Sequence, residues 1–181
     1  MAVEEDAAAA GSPAIEVRPA VPADAEAIAL LSQELLAFYG LPVRYQRSYM
    51  SHVIAEKAFT DPPSIEILMA FERGQPRGFL AFSQNFAVAN CQTSVFIQDL
   101  FVTRKARALG IGRRLMAELA RICVARGVGQ LDWTADPWNE KARAFYEAMG
   151  PLLRSDKTYY RLLSPRLADL AAGAPPTARG R

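Results

Sequence analysis

The run from Val95 to Arg126 constrains this chain more than any other stretch, because its hydrophobic period changes midway around two glycines. Val95, Phe96, Ile97, Leu100, Phe101 and Val102 are β-branched, aromatic or aliphatic and suit a largely buried strand. Further on, Ile111, Leu115, Leu119, Ile122 and Cys123 share one face at the 3.6-residue period, with Arg113, Arg114, Glu118 and Arg121 opposite, which predicts an amphipathic helix. Between the two lies Arg107-Ala108-Leu109-Gly110-Ile111-Gly112. Residues without a Cβ let the backbone approach a ligand closely. The first amides of a helix lack internal acceptors and sit at the positive end of its dipole, so this corner suits a phosphate or pyrophosphate. Glycine can also serve a strand-to-helix corner simply by turning it. The anion reading gains from Arg104, Lys105, Arg107, Arg113 and Arg114 around the turn, since guanidinium matches phosphate geometry well. A Rossmann site would need a third glycine where Leu115 stands, and a P-loop would need Gly-Lys-Ser/Thr; neither is present.

Length and composition bound the rest. A chain of 181 residues fits one domain with a substantial core. Hydrophobic residues at 51% and charged residues at 22% describe a globular protein rather than a disordered or membrane one. The apolar runs fall short of the roughly 20 residues a membrane span needs. The acidic start, Met1 to Asp6, is unlike a secretory signal. Cys91 and Cys123 make neither a disulfide framework nor a metal site, and with His52 the lone histidine no metal is expected. A reduced, cytoplasmic protein is expected. A formal charge of +2 is too small to argue for nucleic acid, and nothing argues for a membrane.

In chain order, residues 1–12 are expected to be disordered, residues 13–164 to form one domain, and residues 165–181 to be a disordered tail. Ala14 to Arg18 alternates as a strand. Asp24 suits an N-cap for a helix through Phe38, and a second helix is expected over about 44–59. Ile65 to Phe71 and Arg77 to Val88 read as antiparallel strands, Gln130 to Ala135 as a short strand, Asn139 to Met149 as a helix, and Thr158 to Leu163 as a closing strand. The expected class is α/β, a mixed sheet flanked by helices.

Two motifs carry a family resemblance. Arg107-x-x-Gly110-x-Gly112 after a strand ending Leu100-Phe101-Val102 resembles the acetyl-coenzyme A signature of the GNAT acetyltransferase superfamily. Asn139-x-x-Ala142-x-x-Phe145-Tyr146-x-x-x-Gly150 is similar to the segment where that family places a pantetheine-contacting Asn and an acid Tyr. The resemblance covers about 14–163 and implies the acyl-CoA N-acyltransferase fold, a central mixed, mostly antiparallel sheet. It also implies acetyl-CoA as co-substrate, an N-acetyltransferase acting by direct attack of a primary amine, and a homodimer. On it, Leu100, Phe101, Val102, Arg107, Ala108, Leu109, Gly110, Ile111, Gly112, Asn139 and Tyr146 are the expected cofactor-binding residues.

Acetyl transfer needs a neutral amine, a polarised thioester carbonyl and a proton for the departing thiolate. Tyr146 is the candidate acid, although a tyrosine at a core edge with its hydroxyl in water would look the same in sequence. Asn139 is equally a favoured N-cap. Leu100 to Val102 could be plain strand core. Asp99 stands out, because a carboxylate in an apolar strand is costly unless paired or solvated by a cleft. It is the candidate proton acceptor and the contact for a cationic acceptor. The diamine and polyamine subgroup, with an acidic pair before the Phe-Val strand end, is the most similar, but Gln98 replaces the first acid and cannot act as a base. Glu34 and Tyr39 are candidate acceptor-binding residues, with a solvated helix face as the plainer reading. An aminoglycoside or amino acid acceptor, or a coenzyme A-binding module without turnover, remains the alternative. Cys123 reads as core rather than as an acetyl carrier, and His52 as surface.

Overall fold

The alternating residues between 66 and 102 fold as an antiparallel ribbon that the rest of the sheet extends. The computed structural model describes residues 14–150, 152–156 and 158–173. In chain order these give β1 (Ile15–Pro19), α1 (Ala25–Phe38), α2 (Arg47–Ala58), β2 (Glu66–Glu72), β3 (Gln75–Ala87), β4 (Gln92–Val102), α3 (Ile111–Ala125), β5 (Leu131–Asp132), α4 (Glu140–Glu147) and α5 (Arg166–Ala171). The five strands form one sheet in the order β1-β2-β3-β4-β5. All neighbours are antiparallel except β4 and β5, which run parallel.

Both faces of the sheet are covered. Ile67, Met69, Phe71, Phe79, Ala81 and Phe101 share one face and pack on Ile28 and Leu31 of α1, with Ile54, Ala58 and Phe59 beside them. Leu68, Leu80 and Phe82 take the alternate positions and so the opposite face. Helix α3 lies across β1 to β4, with Ile111, Leu115, Met116, Leu119 and Cys123 buried as the apolar stripe requires.

One irregularity in β4 decides what the sheet presents. Ala81 pairs with Asp99 but Phe82 pairs with Ile97, so Gln98 is an extra residue, a β-bulge. Strict alternation would put Val95, Ile97, Asp99 and Phe101 on one face. The extra residue turns the last two over: directly paired residues share a face, so Asp99 joins Ala81, and Phe101 joins Phe79, on the α1 side. The parallel ladder to β5 stops just before the bulge, at Val95–Leu131 and Phe96–Asp132. The strand expected over 130–135 is accordingly two residues long, since a bulge bends its strand away from its neighbour.

The described chain falls into two compact units that meet in sequence at Thr134 and Ala135. In the second, α4 is capped by Asn139 and ends at Glu147, two residues short of the expected Met149, while α5 occupies part of the Pro- and Ala-rich tail expected to be disordered. The closing strand expected at Thr158 to Leu163 is not formed: these residues pair with no strand among the described residues, and Tyr159, Tyr160, Leu162 and Leu163 stand exposed. A strand exists only through its ladder, whatever its composition favours. Residues 1–13 and 174–181, with the disordered N-terminal segment and most of the tail expected there, lie outside the described residues.

Asp24 holds the N-cap position of α1 without capping it. Its carboxylate instead accepts from Nη1 and Nη2 of Arg18 at 2.6 and 3.0 Å and from the Val21 amide at 2.8 Å. The Arg18 hydrogen bond holds its carboxyl below the usual range against the opposing cost of burial.

Candidate active site at the end of strand β4

Hydrogen bonding at the end of β4 fixes which backbone groups face outward. The Thr103 amide donates to the Arg77 carbonyl at 2.8 Å. Antiparallel pairs alternate between hydrogen-bonded and open, so Phe101 turns its N–H and C=O toward β3 while Leu100 and Val102 turn theirs to the other edge. Beyond Phe96 that edge has no ladder partner among the described residues. The Phe101 ring is buried 6.4 Å from that of Phe79, which makes this residue the anchor between two outward-facing neighbours. Gly78 makes the anchoring possible: a Cβ there would sit 2.6 Å from the Phe101 carbonyl oxygen.

Asp99 is exposed on the α1 face, yet surrounding protein desolvates its carboxyl enough to push its pKa up. A water-accessible carboxylate with raised basicity is a better proton acceptor than an ordinary surface aspartate. Gln98 is also exposed, and its Nε2 donates to Ser83 Oγ at 3.4 Å.

The turn after β4 is built on left-handed backbone. Ala108 has φ 72° and Gly110, at the N-cap of α3, has φ 75°. Glycine adopts this region freely, whereas alanine does so at a cost of about 1 kcal/mol. Leu109 donates back to Ala106, and Arg114 to Gly110. The amides of Arg107, Ala108, Gly110, Ile111, Gly112 and Arg113 show no acceptor among the described residues. Arg104, Lys105 and Arg113 are exposed around them, while Arg114 reaches away to the Ile15 carbonyl at 3.3 Å. Successive free amides at a helix start, ringed by cations, fit the diphosphate of a coenzyme A molecule.

Arg107 ties this turn to α1. Its Nε donates to the outward Val102 carbonyl at 3.3 Å, and its guanidinium lies over the Phe38 ring, 4.9 Å from the centroid. Tyr39 follows, its ring edge-on to Phe38 with centroids 5.3 Å apart. Glu34 is exposed one turn earlier. The first unit thus holds Glu34, Tyr39, Asp99, Leu100, Val102 and the whole 107–112 turn.

In the second unit, Asn139 caps α4, its Oδ1 accepting from the Ala142 amide at 3.2 Å. Tyr146 is half-buried on the same helix, with its ring 5.2 Å from that of Phe145. Elsewhere, burial pushes the Cys123 thiol up, against a thiolate acyl carrier, and His52 lies on the surface 3.4 Å from Glu56. Among the described residues no group of three or more His, Cys, Asp or Glu side chains could hold a metal. Among the described residues no helix is long and apolar enough to cross a membrane.

Three contributors to the site escape a linear reading. Gly78 had a signal, since an isolated glycine inside a strand pattern marks close backbone approach. Gln98 was marked only for the acid it replaces, and its role as the bulge had a weaker signal, two adjacent polar residues breaking alternation. Phe38 had none, because its partner Arg107 lies 69 positions along the chain.

A model described as the acetyltransferase (GNAT) family matches residues 24–150. The chain is 34% identical over 73 residues to the L-ornithine N5-acetyltransferase NATA1 of Arabidopsis thaliana, a match covering 40% of this chain and only 32% of that relative. It is 26% identical over 153 residues to the D-amino-acid N-acetyltransferase HPA3 of Saccharomyces cerevisiae, covering 81% and 89%. Among solved structures, an integron cassette protein from the mobile metagenome of V. cholerae superposes with a TM-score of 0.77 at 27% identity, covering 87% of this chain and 97% of that one.

Proposed function

Because this chain belongs to the GNAT acetyltransferase family and is an N-acetyltransferase of that fold, we propose that it moves the acetyl group of acetyl-CoA directly to a primary amine of a small molecule. The observation that carries the reading is the set of amides of Arg107, Ala108 and Gly110 to Arg113, without an acceptor among the described residues, beside an open strand edge. Arg107, Ala108, Gly110, Ile111 and Gly112 would hold the diphosphate. The outward C=O of Leu100 and the N–H and C=O of Val102 would receive the pantetheine arm as an added strand, with Asn139 contributing from α4.

Acetyl-CoA supplies an activated acyl group, and the chain supplies orientation and proton traffic. The Leu100 amide polarises the carbonyl as negative charge develops on its oxygen. Asp99 takes a proton from the acceptor ammonium through water, leaving the neutral amine that attacks. The C–N bond forms, the C–S bond breaks as the tetrahedral intermediate collapses, Tyr146 protonates the departing thiolate, and the nitrogen's second proton returns through water to the tyrosinate. Asp99, Glu34 and Tyr39 would hold a cationic acceptor, as the diamine or polyamine class requires. Gln98, in place of that class's first acid, weakens that assignment, with an amino acid or an aminoglycoside as the other acceptor and a coenzyme A-binding module without turnover as the other reading. A homodimer in the cytoplasm belongs to the same reading.

The test is release of free thiol from acetyl-CoA across a panel of amines. We expect release with at least one amine, and Tyr146→Phe should lower kcat by roughly a hundredfold or more, far more than it weakens acetyl-CoA binding. An unchanged kcat removes Tyr146 from the mechanism. Acetyl-CoA binding without release for any amine would leave a coenzyme A-binding module.

A further inference from the structure

The stretch from the end of α1 to the start of α2 carries large apolar side chains that, Tyr39 apart, the transfer mechanism leaves unused. Phe38, Tyr39, Leu41, Val43, Tyr45 and Tyr49 are all exposed, Tyr45 and Tyr49 by 58% and 53%. So many large apolar groups in one short stretch mark a binding surface rather than ordinary surface composition. The rings are also arranged. Tyr45 and Tyr49 lie 5.0 Å apart between centroids, tilted by 33°. Gln33 of α1 donates to the Tyr45 carbonyl at 3.5 Å, and Arg47 donates to Gln33 Oε1 at 3.3 Å while reaching Glu26 at 3.8 Å. The connection therefore folds back along α1, and Tyr45 lies beside Gln33. Phe38 is five residues further on, about 7.5 Å along the axis at ~1.5 Å per residue. That end of α1 is fixed to the cofactor turn by the Arg107–Phe38 stack. The bulge puts Asp99 on the same face of the sheet.

Charge narrows the occupant. Between Glu34 and Glu56 the chain has no carboxylate, and it carries Arg44 and Arg47 there. With Arg107 over Phe38, a second ammonium seated beside Tyr45 and Tyr49 would meet guanidinium groups, while the one acid on this stretch, Glu34, is already assigned to the reacting amine. Tyrosine faces do attract cations, but Arg47 is itself held beside Tyr45 through Gln33. Resting on the transfer reading above, we infer that the acceptor is a monoamine whose body is a flat aromatic or extended apolar group, seated against Tyr45 and Tyr49 with its amine toward Asp99. Tyr45 and Tyr49 then set specificity without entering the chemistry.

The experiment compares 2-phenylethylamine, propylamine and 1,4-diaminobutane as acceptors for the full chain with acetyl-CoA. The aryl amine should exceed the diamine in kcat/KM by roughly tenfold or more. Tyr45→Ala and Tyr49→Ala should each raise KM for 2-phenylethylamine by about that factor, leave kcat and the propylamine KM unmoved, and be rescued by Tyr45→Phe and Tyr49→Phe. Preference for the diamine, or an unmoved aryl-amine KM in both alanine variants, overturns the inference while leaving acetyl transfer intact. So would loss of self-association in the variants with KM unchanged, which would assign the rings to an interface between copies. Turnover of no amine at all removes the transfer reading and this inference with it.

Discussion

Asp99 shows how much one side chain depends on its backbone. Its position in an apolar strand marked it in the sequence; its face and its basicity came from elsewhere. The inserted Gln98 turns it to the α1 side, and desolvation raises its pKa. For a carboxyl the sign is definite. Raised pKa means the protonated form is favoured in the folded state, so its stabilising contribution is present at low pH and is lost as pH rises through the raised value. Catalysis wants the other form. The kcat/KM profile should therefore fall on its acid side at a pH above that of an ordinary aspartate. Asp99→Asn should abolish that limb and lower kcat, while leaving stability near neutral pH unchanged or slightly higher. A pH–rate profile of both proteins, with thermal melts, checks each part. Survival of the limb in Asp99→Asn would assign it to another group, such as the acceptor amine.

At the scale of elements, α1, α3 and the β2–β3 hairpin were legible because each expresses a single period, and tertiary packing agrees with it. The α3 stripe buries Ile111, Leu115, Leu119 and Cys123 as its spacing predicts. What the sequence did not reveal is set by neighbours in space. Thr158 to Leu163 has strand composition but no ladder among the described residues. Asp24, favourable as a cap, is drawn to Arg18 and the Val21 amide instead. Gly78 belongs here too, for it sets how closely β3 approaches the end of β4. Gly78→Ala would drive a Cβ against the Phe101 carbonyl, a backbone atom that cannot swing aside. The expected cost is about 1–3 kcal/mol, typical of overpacking, seen as a lower denaturation midpoint. Because Phe101 anchors Leu100 and Val102, acetyl-CoA affinity should fall as well. A variant as stable as the parent would show that β4 can shift without loss.

For the whole molecule, the fold assembles an open edge and a turn of free amides at one end of β4. The bulge bends β4, the β5 ladder stops at Phe96, and Arg107 links the turn to Val102 and Phe38. The two glycines and the strand before them announced the turn. The opening beside it was not legible, because a one-residue register shift leaves almost no mark in composition. The account as a whole requires those amides to bind a diphosphate. Its most direct test is calorimetric titration of the full chain with acetyl-CoA and with S-acetylpantetheine, which lacks the diphosphate. We expect acetyl-CoA to bind in or near the micromolar range and the truncated thioester to bind roughly a hundredfold more weakly, about 2.7 kcal/mol, the worth of one or two charge-assisted hydrogen bonds. No measurable acetyl-CoA binding, or equal affinity for the two, would contradict it.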